Sequence, residues 1–425
     1  MMKRRQLSKM AAGATVIGSS LLSGCLGMLQ GSDDDSNTDA PSLYRTKYDW
    51  CVPGDLEVDS VVGDTVLGRR DITERRSETR EAIALSAETG SITWSYETER
   101  DVDHFTAVTV DDGIYLTRGG PQDGNGVVAL NMDGTKRWIV NTAVGYERPR
   151  VANDTVYVAD SRVYAFDVAS GDLRWEYNLQ GSRLSPTIVD VTDTVVVETG
   201  YTVLGLDPTA GTVRWEFETG DQVIGEVQLS DGISYVMTSD RIAASSDGAE
   251  QWRTEFDTTT AQTGESIVGT TSDRVFVFTS GDDGDAHQLQ AFEVATGERS
   301  WTSEPIQPIV QPDFEWTPRT TVYGDIAYLG GETLRAIDAT TGDELWQASV
   351  GDGPIKTLTV INNGAEADHT VFVQGGETQL ATFTPDGEQT WSHSVNAPDR
   401  VSAIGEYVFV GTDNEICSLN RLEKS

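Results

Sequence analysis

Positive charge is scarce in this chain, and lysine contributes the least of it. The 425 residues include 31 Lys plus Arg against 68 Asp plus Glu, which gives a formal net charge of −37. Beyond residue 24 the lysines are Lys47, Lys136, Lys356 and Lys424. The acidic residues are spread through the whole chain, so no single acidic binding face is indicated. This composition argues against nucleic acids and anionic surfaces as partners.

A surface rich in carboxylates and poor in lysine is typical of adaptation to high salt. At 1 M salt the screening length falls to about 3 Å, so neighbouring carboxylates repel one another less. We therefore interpret the chain as halophilic. Together with the leader described below, this composition indicates a salt-loving archaeon as the source.

Residues that carry common enzyme chemistry are also missing. The four histidines, His104, His287, His369 and His393, do not show the spacing of a metal site. The sequence has no GxSxG nucleophile elbow, phosphate-binding loop or Rossmann fingerprint. The acidic stretch 281–285 lacks the Glu that completes an EF-hand loop, so we expect a solvated turn there. The sequence therefore predicts no catalytic residue and no metal site.

No apolar run is long enough to span a membrane as a stable helix, and the run from Met10 to Leu22 belongs to a leader. Lys3-Arg-Arg5 precedes that run and resembles a twin-arginine signal, while Leu22-Ser-Gly-Cys25 resembles a lipobox. We expect residues 1–24 to be a twin-arginine-type lipoprotein signal peptide. The alternative is an ordinary secretory signal with a chance cysteine.

If the leader is removed, four basic residues and no acid are lost, and the formal net charge changes from −37 to −41. Cys25 is then the expected lipidation site, and residues 25–42 form a flexible acidic tether. A lipid chain without a transmembrane helix gives an anchored protein. The expected location is the outer face of the cytoplasmic membrane.

The feature that the sequence repeats most is a glycine followed four residues later by a tryptophan. Successive tryptophans of this set are separated by 37 to 49 residues. The pairs are Gly90/Trp94, Gly134/Trp138, Gly171/Trp175, Gly211/Trp215, Gly248/Trp252, Gly297/Trp301, Gly342/Trp346 and Gly387/Trp391. A period of about 40 residues with fixed turn and aromatic positions indicates a repeat architecture.

Each repeat reads as four short strands. In the fourth repeat, runs at 184–189, 194–198 and 202–207 precede a glycine turn and a last run at 213–217. The glycine can adopt the positive φ of a tight hairpin, and three repeats shorten the turn to Asp-Gly. One such sheet cannot bury both of its faces, so we expect the sheets to stack in a ring with the tryptophans between them. The predicted fold is an all-β propeller over residues 43–425.

The number of blades follows from counting the strand groups. Nine groups of three inner strands can be traced, and the ninth, at 401–404, 407–411 and 415–419, has no following strand of its own. The segment Leu43–Trp50 is the candidate to complete it. Strict counting gives nine blades closed by an N-terminal strand, whereas familiar propellers of this kind have eight, so eight or nine are expected.

Several repeats resemble the pyrroloquinoline-quinone (PQQ) repeat, AxDxxTGxxxW. Ala165-Phe-Asp167 with Gly171 and Trp175 matches this pattern, and so does Ala336-Ile-Asp338 with Gly342 and Trp346. The resemblance covers the chain after residue 42. It implies a propeller, but it does not choose a function, because the family includes quinoprotein alcohol dehydrogenases and also non-catalytic lipoproteins such as the B subunit of the Bam outer-membrane assembly machine.

The resemblance also implies which residues a PQQ-binding site would require. Such dehydrogenases hold PQQ and calcium on the propeller axis, against a disulfide between adjacent cysteines and a stacked tryptophan. This chain has no adjacent cysteines, and the eight repeat tryptophans are expected to be structural. A quinoprotein site would also need a cation near the axis, for which Arg183, Arg319 and Arg400, each near the start of a strand, are candidates. We therefore expect no cofactor, with PQQ and calcium as the alternative.

Three functions remain open from the sequence. The first is a non-enzymatic, membrane-anchored binding or protein-interaction scaffold, with a protein or small-molecule partner on an end face of the propeller. The second is a PQQ-dependent dehydrogenase with a divergent site. The third is a solute- or glycan-binding lipoprotein, for which Phe314-Glu-Trp316 would supply exposed aromatic rings.

The two cysteines beyond Cys25 predict a disulfide. Cys51 lies on the N-terminal segment that is expected to complete the last blade, and Cys417 lies on the third strand of that blade. Opposed residues on adjacent antiparallel strands bring their Cβ atoms within reach of a disulfide, and an exported protein permits oxidation. The alternative is two unrelated cysteines, one of them buried.

Overall fold

The structure is a computed structural model. It describes residues 48–54, 56–74, 77–97, 104–110, 113–119, 125–142, 148–179, 186–256, 266–280, 287–306, 309–311, 314–316, 319–365, 368–395, 398–405, 407–412 and 415–419. The predicted signal peptide, Cys25 and the tether lie outside these residues. In the described part of the chain no helix is long and apolar enough to cross a membrane.

The described residues form nine four-stranded antiparallel sheets, the blades of a propeller, and one two-stranded hairpin. Blade 1 consists of β2 (Leu56–Val62), β3 (Thr65–Glu74), β4 (Ser77–Ser86) and β5 (Ile92–Glu97). Blade 2 consists of β6 (His104–Val110), β7 (Gly113–Gly119), β8 (Gly126–Asn131) and β9 (Lys136–Val140). Blade 3 consists of β10 (Arg150–Ala152), β11 (Thr155–Ala159), β12 (Arg162–Asp167) and β13 (Leu173–Asn178). Blade 4 consists of β14 (Thr187–Val191), β15 (Val195–Glu198), β16 (Thr202–Leu206) and β17 (Val213–Glu218). Blade 5 consists of β18 (Gln228–Ser230), β19 (Ile233–Met237), β20 (Arg241–Ser246) and β21 (Ala249–Glu255). Blade 6 consists of β22 (Ser266–Thr270), β23 (Arg274–Ser280), β24 (His287–Glu293) and β25 (Arg299–Thr302). Blade 7 consists of β28 (Arg319–Tyr323), β29 (Ile326–Gly330), β30 (Leu334–Asp338) and β31 (Glu344–Ala348). Blade 8 consists of β32 (Ile355–Ala365), β33 (Asp368–Gly375), β34 (Gln379–Phe383) and β35 (Gln389–Ser394). Blade 9 consists of β36 (Arg400–Ile404), β37 (Tyr407–Gly411), β38 (Glu415–Leu419) and the N-terminal β1 (Trp50–Pro53). The hairpin of β26 (Ile309–Gln311) and β27 (Phe314–Trp316) lies between blades 6 and 7 in the chain.

The two middle strands of each blade form the core. In blade 3 every residue of β11 is buried, whereas the outermost strand, β13, buries mainly Trp175 and exposes most of its other residues. Neighbouring blades cover both faces of the middle strands, so these strands are apolar at nearly every position. The outermost strand has a free edge, and it therefore alternates between buried and exposed residues.

The predicted propeller of four-stranded blades is confirmed, with nine blades. In blade 4 the predicted runs and the observed strands agree within a few residues. The ninth blade is completed by an N-terminal strand, as the sequence predicts, but the strand is placed later than expected. It begins at Trp50 rather than ending there, and residues 43–47 lie outside the described residues.

Blade 9 joins blade 1 and closes the ring. Trp50 and Val52 of β1 share one buried cluster with Leu56 and Val66 of blade 1 and Phe409 of blade 9. The ring centroids of Trp50 and Phe409 are 6.1 Å apart. Because this cluster contains the first and the last strands of the propeller, the ring cannot open here without exposing large apolar side chains.

The repeated tryptophan and glycine meet between blades rather than within one repeat. In seven junctions the indole of one blade lies against the hairpin glycine of the next, and a Cβ on that glycine would lie 2.4–2.8 Å from a ring atom. The same indole Nε1 donates a hydrogen bond of 2.7–3.2 Å to a carbonyl of the same hairpin. We call this the Trp–Gly contact. The contacts are Trp50/Gly90, Trp94/Gly134, Trp138/Gly171, Trp175/Gly211, Trp252/Gly297, Trp301/Gly342 and Trp346/Gly387.

These glycines are required for two reasons. At Gly211, for example, φ is +65°, which side chains with a Cβ rarely adopt, and the Cβ itself would lie 2.5 Å from Trp175 Cε3. Trp50 has no glycine four residues before it, so the repeat pattern does not include it. In the structure it nevertheless supplies the Trp–Gly contact between blades 9 and 1.

Two junctions lack the Trp–Gly contact. The indole of Trp215 lies across Gly205 of its own blade, where a Cβ would be 2.1 Å from the ring. Most blades have an alanine opposite the tryptophan, whereas blade 4 has Gly205 there. Because glycine lacks the methyl group of alanine, the Trp215 indole has room to lie across it. Trp391 stacks on His393 at 5.7 Å instead, because blade 9 has no hairpin that joins its last two strands.

The three Asp-Gly turns are not equivalent, contrary to the sequence-based expectation. Of the turns at Gly134, Gly248 and Gly387, only Asp247-Gly248 is a two-residue turn with positive φ at both positions, +48° and +78°. At Gly134 and Gly387 the glycine amide closes a longer turn, to Asn131 O at 2.9 Å and to Thr384 O at 3.0 Å. The short turn at Asp247 is the one that faces Trp215.

We predict that truncating a tryptophan in a Trp–Gly contact costs more stability than truncating one outside it. Trp175→Ala removes a buried indole and its hydrogen bond to Pro208 O, so it should cost about 3–5 kcal/mol. Trp346→Ala should behave similarly. Trp215→Ala is the matched control and should cost less. Equal losses in denaturant unfolding for Trp175→Ala and Trp215→Ala would contradict this role.

Cys51 and Cys417 form a disulfide within blade 9. They are direct partners in the register of β1 and β38, and their Cα atoms are 4.0 Å apart. Cys51 is exposed and Cys417 is 3% exposed. The disulfide therefore joins the first described strand to the last one, across a sequence separation of 366 residues.

We predict that this disulfide forms in the exported protein and stabilises the closed ring. A loop of this length gives a contribution at or above about 4.7 kcal/mol in the chain-entropy model. The double variant Cys51→Ser/Cys417→Ser should therefore melt at a lower temperature than the oxidised protein. Mass spectrometry of a digest made without reductant should detect the linked peptides, and two free thiols would refute the prediction.

Candidate functional site

The aspartate of the repeat motif has a structural role. Asp167 Oδ1 accepts hydrogen bonds from the amides of Ala169 and Ser170, at 3.0 and 2.9 Å, and Oδ2 accepts one from Arg174 Nη2 at 2.7 Å. Hydrogen bonds, chiefly that from Arg174, lower the pKa of Asp167 to about 2. Asp207 is held in the same way in blade 4. The motif therefore organises the hairpin that receives the tryptophan of the preceding blade.

A charge cluster around the buried Asp59 connects two blades that are not neighbours. Asp59 lies at a bulge of β2, the first strand of blade 1, and its Oδ2 accepts a hydrogen bond from Arg69 Nε at 3.0 Å. Arg148, two residues before the first strand of blade 3, places Nη2 3.9 Å from Asp59 Oδ1. Arg69 also pairs with Glu57 at 3.0 Å. We call these four residues the Asp59 cluster.

Asp59 is the most perturbed carboxyl group of the cluster. Its side chain is 5% exposed, and Oδ1 has no hydrogen-bond partner. Burial raises the pKa of Asp59 to about 6, against the opposing effect of the positive charges on Arg69 and Arg148. Arg148 connects blade 3 to blade 1 through Asp59. Protonation of Asp59 therefore changes a contact that bypasses blade 2.

The arginines considered for an axial cation site lie on different blades. Arg319 begins β28 of blade 7, and its Nε donates to Lys356 O of blade 8 at 3.2 Å. Arg400 begins β36 of blade 9 and is exposed. Arg183 lies outside the described residues. The structure thus assigns Arg319 a contact with the backbone of the next blade.

The described histidines mostly serve packing. His287 stacks on Phe278 at 5.2 Å, and the Nε2 atom of His369 is hydrogen-bonded to Tyr328 Oη at 2.6 Å between blades 7 and 8. Burial lowers the pKa of His393, which stacks on Trp391. Trp316 lies on β27, and the stretch 281–285 lies outside the described residues, so the predicted turn there stays a prediction.

One group of metal-ligating side chains comes together in the described part of the chain. Donor atoms of Cys51, Glu415 and Cys417 lie within 4.8 Å of one another. Both sulfur atoms are bonded to each other in the disulfide, so neither is a thiolate that could bind a metal ion.

Two surface cavities lie at blade junctions. One, of about 580 Å³, is lined by Asp49, Asp64, Ser86, Ala87, Glu88, Tyr407 and Ser418 where blade 9 meets blade 1. The other, of about 430 Å³, lies between blades 3 and 4, and we call it the blade 3–4 cleft. It is lined by Tyr177, Asn178, Leu179, Thr199, Thr202, Leu204 and Glu216. The blade 3–4 cleft combines two leucine side chains and a tyrosine ring with polar groups and the carboxylate of Glu216.

We predict that Asp59 makes the protein less stable as the pH rises from about 4 to 6. A carboxyl group whose pKa is raised on folding binds more protons in the folded state over this range, so its favourable contribution is present below pH 4 and is lost through pH 6. A shift of about two pKa units corresponds to about 3 kcal/mol. Asp59→Asn should remove this component from the unfolding free energy measured against pH. Parallel profiles for the two proteins would refute the assignment.

The chain is similar in sequence to known proteins. A family model described as outer membrane protein assembly factor BamB matches residues 57–204 and 200–424. The serine/threonine-protein kinase AfsK of Streptomyces coelicolor is 28% identical over 207 residues, which cover 48% of this chain and 19% of the kinase.

Two solved structures are similar to this chain at low sequence identity. BamB from Moraxella catarrhalis is 17% identical, with a TM-score of 0.47, and the match covers 88% of this chain and 99% of that one. A europium-containing methanol dehydrogenase is 14% identical, with a TM-score of 0.44, over 78% of this chain and 85% of the enzyme. The family model spans nearly all of the propeller. The chain therefore belongs to the PQQ-repeat β-propeller family of the BamB type.

Proposed function

We propose that this chain is a membrane-anchored, extracytoplasmic scaffold that binds a partner protein on an end face and has no catalytic activity of its own. The observation that supports this most is the use of the repeat signature in blade contacts. Seven tryptophans, including Trp50, donate Nε1 to the next blade, and the motif aspartates cap hairpins. The residues that resemble a cofactor repeat therefore have a structural function.

The described residues fit PQQ and calcium poorly. The disulfide lies on the outermost strand of blade 9 and its neighbour, away from the innermost strands, and joins cysteines far apart in the chain. Asp59 is the most perturbed described carboxyl group on an innermost strand. It is held by guanidinium groups, and burial disfavours its charged form. A hard divalent cation prefers ionised oxygen ligands. These features favour the scaffold over the divergent dehydrogenase.

Anchoring and export rest on the leader. The basic Lys3-Arg-Arg5, the short apolar run and the sequence that ends at Cys25 together support a lipidated, exported protein. The family description names an assembly factor, which agrees with a protein partner. Halophily rests on the net charge of −37.

Photo-crosslinking in the native host tests the scaffold. Tyr201 is 50% exposed on the end face formed by the β15–β16 turn, and Thr192 is exposed at the opposite end, in the β14–β15 turn. Leu173, 52% exposed on an outer strand, is the control at the rim. A crosslinking amino acid at one end face should give a discrete protein adduct that the rim position does not give.

The anchor and the alternative function are tested in the same strains. Cys25→Ala should move the protein out of the membrane fraction and remove the adduct. The purified protein should not oxidise alcohols or aldoses with added PQQ, calcium and a dye acceptor. Turnover in that assay, or no adduct at either end face, would overturn the scaffold.

A further inference from the structure

The blade 3–4 cleft is open because two residues differ from those at the preceding junction. In blade 3 the third strand carries Arg162 and Tyr164 on the face toward blade 2. The equivalent positions of blade 4, counted from the residue opposite the repeat tryptophan, are Thr202 and Leu204. Leu204 lacks the ring that Tyr164 packs at 5.9 Å against Phe166. The smaller side chains leave the cavity of about 430 Å³.

The same change removes the positive partner of a glutamate. Glu176 directly follows the tryptophan of blade 3, and its Oε1 is 2.8 Å from Arg162 Nη1. Glu216 is its equivalent in blade 4, and there Thr202 replaces the arginine. Among the described residues no cation pairs with Glu216. In the described part of the cleft, the carboxylate of the blade 3 ion pair has an equivalent and the guanidinium has none.

The walls of the cleft suit the stem of such a cation. Leu179 and Leu204 are each 6% exposed and form an apolar base, beside the half-buried ring of Tyr177. An aromatic face attracts a cation, and apolar side chains pack against methylene groups. Asn178 and Thr202 add polar groups at the rim.

Both walls are fixed before any ligand binds. Leu179 N donates to Ser161 O at 3.1 Å on the blade 3 side. On the blade 4 side, the amide of Thr219 donates to Tyr201 O at 3.0 Å, and the amide of Thr199 donates to Thr202 O at 3.0 Å. A preformed site loses less entropy on binding than one that must order first.

From these contacts we infer that the blade 3–4 cleft binds a guanidinium group on a short aliphatic stem. The guanidinium takes the position that Arg162 has in blade 3 and pairs with Glu216, and the stem lies between Tyr177 and Leu204. The source is either a small free cation or an arginine side chain of a peptide, which present the same chemistry. The inference does not depend on the scaffold function, because the cleft lies between two blades and off the axis.

Saturation-transfer NMR with argininamide tests the cleft, and citrullinamide is the uncharged isostere. The titrations are run in 1 M KCl, where the screening length is about 3 Å and general attraction to the acidic surface is suppressed. Argininamide should bind at least about tenfold more tightly than citrullinamide. An arginine-containing tripeptide with blocked ends distinguishes the sources: binding tighter than argininamide indicates a peptide, and weaker binding indicates a free cation. Equal affinity for argininamide and citrullinamide would overturn the inference.

Three variants locate the binding. Glu216→Gln should weaken the affinity about fivefold to tenfold, whereas Glu176→Gln, at the junction where Arg162 is present, should leave it unchanged. Thr202→Arg supplies an internal guanidinium and should abolish binding without lowering the melting temperature. Retained affinity in both Glu216→Gln and Thr202→Arg would refute the site, whatever the outcome of the crosslinking and dehydrogenase assays.

Discussion

The ring depends on a contact that no blade can make alone, an indole laid on the hairpin glycine of the next blade. Each contact buries an aromatic ring, satisfies its Nε1 and requires a glycine with no Cβ at that place. Both partners recur once per repeat, and the contact forms at seven of the nine junctions between the described blades. Trp50, which lies outside the glycine–tryptophan spacing, supplies this contact where the chain ends meet.

The two junctions without this contact are stabilised in other ways. Trp391 has no hairpin to contact because the last two strands of blade 9 come from opposite ends of the chain. The disulfide holds those two strands together instead. Between blades 4 and 5, Phe217 joins Val203 and Val236 in a buried apolar cluster, against which the displaced Trp215 packs from its own blade.

The sequence predicts the blades well because local turn chemistry and hydrophobic alternation determine them. The glycine–tryptophan pairs and the strand groups predicted eight or nine blades, of which the structure has nine, and the expected strand pairing placed Cys51 opposite Cys417. The sequence does not show that each glycine contacts the tryptophan of the preceding blade rather than the one in its own repeat. The repeat spacing is the same for both arrangements. The Asp59–Arg148 contact skips a blade, so no periodic pattern reports it. The sequence shows a glycine at position 205, but the displacement of the Trp215 indole onto it depends on packing that the sequence does not show.

Residues that recur in every blade hold the ring together, so differences between blades are where binding specificity can arise. Arg162 and Tyr164 close one junction, and Thr202 and Leu204 leave the next one open, although the two blades share the same strand register. The hairpins, strands and tryptophan contact of blade 3 remain intact beside the cleft. A repeat fold can therefore gain a site by two substitutions on one blade face, because the neighbouring contacts already hold the walls in place.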